Sequence, residues 1–456
     1  MLAAYSIPLL ISISFILPVL KNEKIIKVLA ISSIFFSLCF VLFSFVDVFY
    51  SGIKTFAVSG WKPPFGIVLV LDKFSSNIAS LILFLSLIIA IFSLSFVKER
   101  IKEFYTLLLL AIVGSLGIVM TGDIYNMFVF TEIMSIATYA LVGFTLGKKS
   151  LEAAFKYLIV GSVSTALMLI AIALLYSQLG TLNIADIINK INLNDITLKI
   201  IFSIFLLSFC IKSAIFPFYI WKPDVISGSL EPIAAFFVGV VTTTTVYVIV
   251  RILYTILGIY YSTWLSVLAI LTMVIGALLA LLQDDIKRIL AYGSISQLGY
   301  IFLAFSSSLI FQGLYHLMNN AIIETLLFLS VGTTLLHKKR MEKISMYGFL
   351  LGALSLTGIP PLSAFFSKFF IITGLLENKM FLYAIISCLI SIVTLFYYMK
   401  IYFTIKKGEK RIYWPIIILI IFVLLLSFVP FWLPFFQDIE SSLLARYEYV
   451  VEVLKP

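Results

Sequence analysis

The chain has 456 residues, of which 62% are hydrophobic and 12% charged, and its 32 Lys and Arg residues exceed its 22 Asp and Glu residues. Soluble globular domains are about half apolar and about a quarter charged, so this composition excludes a soluble fold. Apolar runs of about 20 residues recur along the chain, and each is long enough to span a bilayer as a helix. We therefore predict an all-α polytopic membrane protein with about 14 transmembrane helices.

The predicted spans follow each other closely, and no stretch between them is long enough for a soluble domain. The longest predicted loops cover about residues 51–66 and 180–197. The spans begin near residues 3, 25, 67, 105, 123, 152, 198, 231, 261, 289, 310, 346, 380 and 413.

Basic residues concentrate in alternate loops between these spans. The opposite loops hold isolated lysines such as Lys54 and Lys190. Basic residues mark cytoplasmic loops, so the pattern predicts a multi-pass protein of the cell membrane with both termini on the outer side. These loops account for most of the net charge of +10, and nucleic acid is therefore not an expected partner. The basic loops contain Lys21, Lys24, Lys27, Lys98, Arg100, Lys102, Lys148, Lys149, Lys287, Arg288, Lys338, Lys339, Arg340, Lys343, Lys406, Lys407, Lys410 and Arg411.

The sequence carries no signature of a cofactor or metal site. Cys39, Cys210 and Cys388 lie inside apolar runs, where cysteine usually serves as a small buried hydrophobe. The chain has two histidines, no nucleotide-binding loop and no haem or cluster cysteine pattern. We therefore expect no cofactor and no metal in this chain, and we exclude a redox enzyme that acts alone.

Two charged residues of the first half lie within predicted spans. Glu132 lies in the stretch Thr121–Met134, and Lys212 precedes the helix-breaking Pro217. A lysine at the centre of a membrane helix costs about 2.5–3.5 kcal/mol, so it is by default a functional-site hypothesis. A Glu132–Lys212 pair about 7 Å apart would interact by roughly 2.4 kcal/mol at an effective dielectric of about 20, which suits a group that gains and loses a proton. A purely structural ion pair is the alternative reading.

Two further features of the first half are ambiguous. Lys156 lies one turn into its span from the cytoplasmic side, so it either extends to the membrane surface or belongs to a proton relay. The run Thr242–Thr245 either returns its hydroxyls to the helix backbone or holds water.

A polar stripe occupies one helix of the second half. His316, Asn320 and Glu324 are spaced by four residues and therefore line one helix face over about 12 Å of rise. A lone membrane histidine is often only hydrogen-bonded within its bundle, but a stripe of three polar groups favours an aqueous or proton-conducting face. Glu324 with nearby hydroxyls and amides would also offer the oxygen ligands of a hard cation, so a sodium site is an open alternative.

The segment Gly358–Lys368 is the most informative part of the chain. Pro360 and Pro361 break a helix, and Lys368 follows within the same apolar run. Broken backbone at membrane depth is tolerated only where protein or an internal water cavity satisfies it. Broken helices beside buried charges are typical of transporter ion pathways. Because Lys212 and Pro217 repeat this arrangement, we predict an internal duplication with one discontinuous helix in each half.

Five ordered motifs resemble the antiporter-like subunits shared by respiratory complex I, Mrp-type multisubunit cation/proton antiporters and the membrane-bound hydrogenase group. The resemblance runs from about residue 67 to residue 378 and is closest to the Mrp-like branch. The motifs are Thr121–Met134, Ile211–Asp224, Gln283–Tyr292 with Ser294–Tyr300, Tyr315–Ala321 and Gly358–Lys368.

The resemblance implies two inverted five-helix repeats with discontinuous helices 7 and 12, and half-channels joined by a polar axis at mid-membrane. The implied segments are 1–104 for helices 1–3, 105–258 for the first repeat, 259–408 for the second repeat, and 409–456 for helix 14 and the C-terminal tail. It also implies a large complex with other membrane subunits, including further antiporter-like subunits, and peripheral iron–sulfur subunits where the complex is redox-driven.

The middle of the chain departs from the family pattern. The lysine that helix 8 usually carries falls at Thr243, the histidine pair is reduced to His316 and Asn320, and the lysine one turn later is Glu324. The ends of the relay, Glu132 and Lys212 on one side and Lys368 on the other, are retained.

The sequence therefore predicts an antiporter-like subunit that moves protons, with coupled sodium movement left open. The expected relay residues are Glu132, Lys212, His316, Glu324 and Lys368. One alternative is a largely structural subunit that transmits coupling without pumping, and another is a stand-alone secondary transporter. No catalytic site is predicted in this chain, and the sequence leaves open whether its complex is redox-driven or an Mrp-type antiporter.

Overall fold

The computed structural model describes residues 1–258, 262–336, 340–408 and 413–455, and these residues are mostly helical. The α-helices are α1 (Ser6–Ile16), α2 (Glu23–Ser51), α3 (Lys73–Phe96), α4 (Ile101–Met120), α5 (Ile124–Val142), α6 (Lys148–Leu179), α7 (Ile184–Lys190), α8 (Ile196–Lys212), α9 (Trp221–Gly228), α10 (Glu231–Phe236), α11 (Thr242–Val250), α12 (Thr263–Leu282), α13 (Ile286–Ser306), α14 (Ile310–Leu336), α15 (Lys343–Thr357), α16 (Ser363–Glu377), α17 (Phe381–Thr404), α18 (Trp414–Leu426), α19 (Val429–Leu444) and α20 (Arg446–Val453).

Short elements of other types complete the described residues. Strands β1 (Lys54–Ala57) and β2 (Val68–Leu71) form an antiparallel hairpin, and β3 (Arg340–Met341) pairs in parallel with β4 (Lys406–Lys407). Two π-helical stretches, Phe237–Val241 and Arg251–Ile256, continue α10 and α11 into one span from Glu231 to Ile256. Three short 3₁₀ helices cover Leu2–Tyr5, Leu17–Val19 and Val58–Gly60.

The prediction of an all-α polytopic membrane protein is confirmed. Eleven helical segments of the described residues are long and apolar enough to cross a membrane. The remaining predicted spans correspond to α8 with α9, to α15 with α16, and to the short α18. The two broken helices are therefore present where the prolines predict them, whereas the total of about 14 membrane crossings remains a prediction.

Several span boundaries differ from the predicted ones for identifiable reasons. The third span was expected near residue 67 but begins at Lys73, because the apolar run Val68–Leu71 is a buried strand. Asp72 then caps α3 by accepting the Ser75 amide, while the Ser75 hydroxyl accepts the Asp72 amide. Helix α6 begins earlier than predicted because charged residues extend it beyond the apolar run. The basic residues Lys338, Lys339, Lys410 and Arg411 lie outside the described residues.

Helix α14 lies at the centre of the bundle and packs against α10, α13, α15, α16 and α18. The span Glu231–Ile256 is buried along its whole length, whereas α2, α6 and α17 leave large apolar side chains exposed on their outer faces. Helices α12 and α13 approach each other closely, since a Cβ atom at Gly299 would lie 2.4 Å from the Met273 Cβ. Small residues at such crossings are typical of membrane helix packing.

The chain after α18 folds back over the end of the bundle at which α3 begins and the span Glu231–Ile256 ends. We call residues 429–453, which comprise α19 and α20, the C-terminal arm; it packs against α3, α7, α14 and β1. Lys73 pairs with Asp438 at 2.6 Å. Arg446 donates to the carbonyls of Thr255 and Ile256 at 2.9 and 2.7 Å, and so satisfies the end of the neighbouring span.

Candidate functional site

Helices α5 and α8 bring Glu132 and Lys212 together, as the sequence predicts. Lys212 is the last residue of α8, is 8% exposed, and donates from Nζ to the Ser135 hydroxyl at 2.9 Å. Ser135 lies one turn after Glu132, whose charge acts on the Lys212 ammonium. The buried Glu132 Oε1 has no hydrogen-bond partner among the described residues. The lysine is thus held by a neutral hydroxyl with a carboxylate nearby.

The helix breaks directly after Lys212 and resumes at Trp221. The bond Phe216–Pro217 is cis. The Phe216 amide donates to the Thr272 hydroxyl at 3.0 Å, and the Trp221 indole donates to the Ile211 carbonyl at 3.2 Å. Neighbouring helices and side chains therefore satisfy polar groups that the break exposes, which is the condition for irregular backbone at membrane depth.

A second buried lysine, Lys222, lies just beyond this break in α9. It is 1% exposed and donates from Nζ to the Ser294 hydroxyl of α13 at 3.0 Å. Its charge acts on the carboxylate of Glu324 in α14. The Ser294 hydroxyl and the Asn320 amide also lie beside that carboxylate, yet neither buried oxygen of Glu324 forms a well-aligned hydrogen bond with a described residue.

Lys222 is the site residue that the sequence interpretation missed. It lies between Trp221 and the pair Pro223 and Asp224, a composition that is typical of a helix start near a loop. Two signals point to it in retrospect. The broken helix continues beyond Pro217 within the same membrane segment, and a carboxylate such as Glu324 in a membrane helix requires a cation or a polar partner nearby.

Helices α13 and α14 face each other with matching polar side chains. Ser294 lies beside Glu324 at one end, and the ring of Tyr300 meets the ring of His316 at the other end with centroids 5.8 Å apart. Both polar atoms of the intervening Gln297 are buried without partners among the described residues. We call Ser294, Gln297, Tyr300, His316, Asn320 and Glu324 the α13/α14 polar seam.

Lys368 lies at the other end of this seam, in α16. It is 3% exposed, donates from Nζ to the Leu356 carbonyl at 2.6 Å, and stands 4.2 Å above the Tyr300 ring. Leu356 belongs to the last turn of α15, where a cation is favourable because carbonyls lack helical partners. The His316 Nδ1 lies 2.8 Å from the hydroxyl of Ser367, the residue before Lys368. Pro360 and Pro361 are joined by a cis bond in the break before α16.

The threonine run returns its hydroxyls to the backbone. Thr243 donates to the Gly239 carbonyl at 2.8 Å, and Thr242, Thr244 and Thr245 likewise donate to carbonyls of their own helix. Of the two readings that the sequence allows, the structure therefore agrees with backbone bonding. Thr243 places no charge where the family pattern has a lysine.

Lys156, in α6, lies beside α9 and is exposed. Its Nζ pairs with Glu152 and Asp224, each at 2.8 Å. Asp224 also binds Arg288 of α13. The side chain thus reaches a charged surface cluster that includes Asp224, two residues from the buried Lys222, as expected for a lysine that extends to the membrane surface.

Most of the predicted site residues therefore converge on the bundle interior in two groups. Glu132 and Lys212 form one group, and the α13/α14 polar seam with Lys222 and Lys368 forms the other. Carboxylates, amines and imidazole exchange protons readily, and buried ionisable side chains in membrane helices mark ion pathways. Within the described residues, no group of His, Cys, Asp and Glu side chains could hold a metal ion.

Comparisons with known proteins identify the family of this chain. The sequence model of the family described as "NADH:quinone oxidoreductase/Mrp antiporter, TM" matches residues 121–394. The chain is 32% identical to a subunit of the Na(+)/H(+) antiporter of Alkalihalophilus pseudofirmus, over 97% of each chain. It is also 32% identical to a subunit of the NADH-quinone oxidoreductase of Desulforudis audaxviator, over 75% of this chain and 74% of the relative.

A solved structure matches the fold over the whole length. A chain of the membrane-bound sulfane sulfur reductase, an archaeal respiratory membrane complex, superposes with a TM-score of 0.91, at 27% identity and 99% coverage of both chains. The family match includes Glu132, both helix breaks and the polar seam. This chain therefore belongs to the family of membrane subunits shared by NADH:quinone oxidoreductases and Mrp antiporters.

Proposed function

We propose that this chain is an ion-translocating subunit of a larger membrane complex and that it moves protons through its two groups of buried charges. The observation that carries the proposal is the pair of broken helices, each of which holds a buried lysine against a neutral oxygen. Relatives bear the names of antiporter and quinone oxidoreductase subunits, which supports ion movement within a multisubunit assembly.

The proposed path has two half-channels. Glu132 and Lys212 belong to the first, His316 and Lys368 to the second, and the polar seam connects them across the middle of the membrane. The repeats would cover residues 105–258 and 259–408, and residues 1–104 and 409–456 would flank them. A proton would be passed between groups that are each neutral in one state and charged in the other.

The direct test is Lys212→Ala in the assembled complex, reconstituted into liposomes. We expect coupled proton movement to fall by at least tenfold, because the substitution removes a proton carrier, while the complex assembles as the wild type does. Lys199→Ala, at an exposed lysine of α8, is the matched control and should leave transport unchanged. Unaltered proton movement in an assembled Lys212→Ala complex would refute the proposal.

Protons are favoured over sodium at Glu324. Its carboxylate has an amide and a hydroxyl nearby, which suits sodium, but the Lys222 ammonium already provides the cation beside it. If sodium nevertheless binds there, Glu324→Gln should abolish any sodium dependence of transport. Sodium dependence that survives the substitution excludes this site.

The identity of the partner subunits shows which kind of complex contains this chain. We propose other membrane subunits, including further antiporter-like subunits, as its neighbours. Native extraction in mild detergent followed by mass spectrometry identifies them. Iron–sulfur or hydrogenase-like partners would make the chain the ion-pumping arm of a redox-driven enzyme, and small membrane partners alone would make it an Mrp-type antiporter subunit. Ion transport by the isolated chain would instead favour the stand-alone transporter.

A largely structural subunit is the second candidate, because Thr243 lacks the charge that the family pattern has in helix 8. That reading predicts that His316→Ala and Glu324→Gln leave pumping intact. The convergence of these two residues with Lys222 and Lys368 favours the pumping reading.

A further inference from the structure

The centre of the site contains an ammonium group although Thr243 occupies the position at which the family pattern has a lysine. Lys222 comes from α9, the second half of the broken helix, and its Nζ lies 3.0 Å from the Ser294 hydroxyl. We propose that Lys222, Ser294 and Glu324 together form the central proton-transfer unit of this chain and replace the lysine missing at Thr243. This inference rests on the proposed function and assigns its central step to specific residues.

Burial supports a role beyond structure for this group. Lys222 and Glu324 are 1% and 2% exposed, so both charges are almost entirely removed from solvent. A structural ion pair at such a cost would be expected to form direct, well-aligned contacts, as Arg251 does with Asp72 at 2.5 and 2.9 Å. Lys222 instead donates to a neutral hydroxyl, and neither Glu324 oxygen is tightly bound among the described residues.

The 3.0 Å hydrogen bond from Lys222 to Ser294 allows a balanced proton transfer once the Ser294 hydroxyl turns towards the nearby Glu324 carboxylate. The Lys222 ammonium releases a proton to the Ser294 oxygen as the Ser294 hydroxyl releases its own proton to the Glu324 carboxylate. One N–H bond and one O–H bond break, two O–H bonds form, and the products are a neutral amine and a neutral carboxylic acid. Two opposite charges thereby disappear together, which keeps the buried site electrically balanced in both states.

The unit of Lys222, Ser294 and Glu324 has polar groups on both sides. On the cytoplasmic side, Asp224 follows Lys222 by two residues and belongs to the surface cluster with Lys156 and Arg288. On the other side, the seam offers buried polar atoms without described partners on Gln297 and on Asn320. Ordered water commonly satisfies atoms of this kind, and a water-bridged seam would pass protons towards Lys368.

Thr243 lies on the same helix face as Gly239, four residues earlier. Gly239 packs directly against Ala321 and Thr325 of α14, since a Cβ atom there would lie 2.2 Å from the Thr325 hydroxyl oxygen. Ala321 and Thr325 follow the seam residues Asn320 and Glu324 by one position each, so position 243 lies beside the face of α14 that bears the seam. We therefore expect the long side chain of a lysine at position 243 to reach Glu324 from this side.

The test compares Lys222→Met, Glu324→Gln and the double variant in the assembled complex, with proton movement measured in liposomes. Each single variant leaves one buried charge without its opposite charge, which can destabilise the protein. The double variant removes both charges, so a loss of transport in it reports on proton transfer and not on stability. We expect the double variant to assemble normally and to lose at least tenfold of its proton movement. Lys199→Met serves as the matched lysine control, and its transport should equal that of the wild type.

A double variant that assembles and pumps at the wild-type rate would overturn the proposal, because the pair would then be only structural. Recovery of transport on adding Thr243→Lys to Lys222→Met would support it. The proposed function has a separate test: if Lys212→Ala abolishes transport while the Lys222 and Glu324 variants do not, the subunit pumps but this central unit is wrong.

Discussion

The buried lysines of this chain differ from its buried arginine Arg251 in the hydrogen-bond acceptors that their charged groups contact. Lys212, Lys222 and Lys368 donate to a serine hydroxyl, a serine hydroxyl and a main-chain carbonyl, respectively. A neutral acceptor stabilises the ammonium through one hydrogen bond but does not fix the proton as a contacting carboxylate would. Such lysines can release a proton when a nearby group changes, and we assign the transport chemistry to them.

Arg251 illustrates the opposite case at the end of the bundle that the C-terminal arm covers. It binds both oxygens of Asp72, donates to the Tyr247 hydroxyl at 2.9 Å, and lies over the rings of Phe74 and Tyr449. The Tyr247 hydroxyl in turn donates to the Val119 carbonyl. This network joins four segments and leaves no exposed face for a mobile proton, so we assign it a structural role.

Breaking this ion pair should destabilise the fold rather than alter transport selectively. Arg251→Met leaves the buried Asp72 carboxylate unpaired, and we expect a loss of about 3–5 kcal/mol in unfolding free energy. Thermal unfolding of the detergent-solubilised protein measures the change. The double variant Arg251→Met with Asp72→Asn should recover much of the stability. Equal stability of wild type and Arg251→Met would contradict the assignment.

The same pair predicts a specific pH dependence of stability. Burial alone would raise the pKa of Asp72, but the Arg251 charge and the hydrogen bonds from Arg251 and Ser75 outweigh it and lower the pKa below 3.8. A carboxyl with a depressed pKa in the folded state stabilises the fold above its unfolded pKa, and this contribution is lost as the pH falls through the folded value. The contribution of this pair should therefore be constant from neutral pH to about pH 5 and fall only in stronger acid, as the difference in melting temperature between wild type and Asp72→Asn would record.

At the residue scale, the sequence predicts the ends of the site better than its centre. Glu132, Lys212 and Lys368 stand out because each is a charge in an apolar run. Lys222 does not, since Trp221, Pro223 and Asp224 surround it, and its burial depends on α13 and α14, which are distant in sequence. Local composition cannot report contacts that only the packing of distant helices creates.

The two broken helices place their buried lysines on opposite sides of the break. Lys212 ends the helix before its break, whereas Lys368 lies within the helix after its break. In the second break, Gly358 ends α15 with a φ of +93°, a backbone conformation that side chains with a Cβ atom rarely adopt. The break orients the last turn of α15 so that the Leu356 carbonyl receives the Lys368 ammonium.

Substitution of Gly358 should therefore disturb both the break and the lysine it positions. Gly358→Val forces a β-branched residue into the left-handed region, at a cost of about 1–2 kcal/mol or more. We expect a lower melting temperature and reduced proton movement. Gly358→Asn should be milder, because asparagine tolerates this backbone region better. If the valine and asparagine variants behave alike, the conformational requirement at this residue is not the reason for the glycine.

At the element scale, prolines and apolar runs predict the spans and their breaks, but they do not separate a buried strand from a helix start. Val68–Leu71 continues directly into the apolar α3, so hydropathy assigns it to the span. Its partner Lys54–Ala57 lies beyond a loop, and only the pairing of the two segments identifies the hairpin. Short apolar runs carry this ambiguity in general.

The whole molecule is a bundle with a buried polar axis and apolar outer faces. The exposed apolar side chains of α2, α6 and α17 are suited to lipid or to neighbouring subunits. The C-terminal arm covers the start of α3 and the end of the span Glu231–Ile256 through Asp438 and Arg446. It thereby ties the last part of the chain to the first.

The proposed orientation with both termini outside is testable on intact cells. Lys455→Cys should react with a membrane-impermeant maleimide from the medium, because the distribution of basic loops predicts the C-terminus on the outer side. Lys149→Cys, at the start of α6, should react only after the cells are opened. Each variant should be tested with the native Cys39, Cys210 and Cys388 intact as background. Labelling of Lys149→Cys in sealed cells would reverse the orientation.

We propose that ions cross the membrane through this subunit by way of its buried charges. The most direct measurement is proton flux in proteoliposomes that contain the complete complex with either wild-type chain or Lys368→Ala. Lys368 is held by the Leu356 carbonyl and the Tyr300 ring, so its removal leaves no unpaired carboxylate in contact. We predict normal assembly with proton flux reduced at least tenfold. An assembled Lys368→Ala complex with wild-type flux would contradict the account.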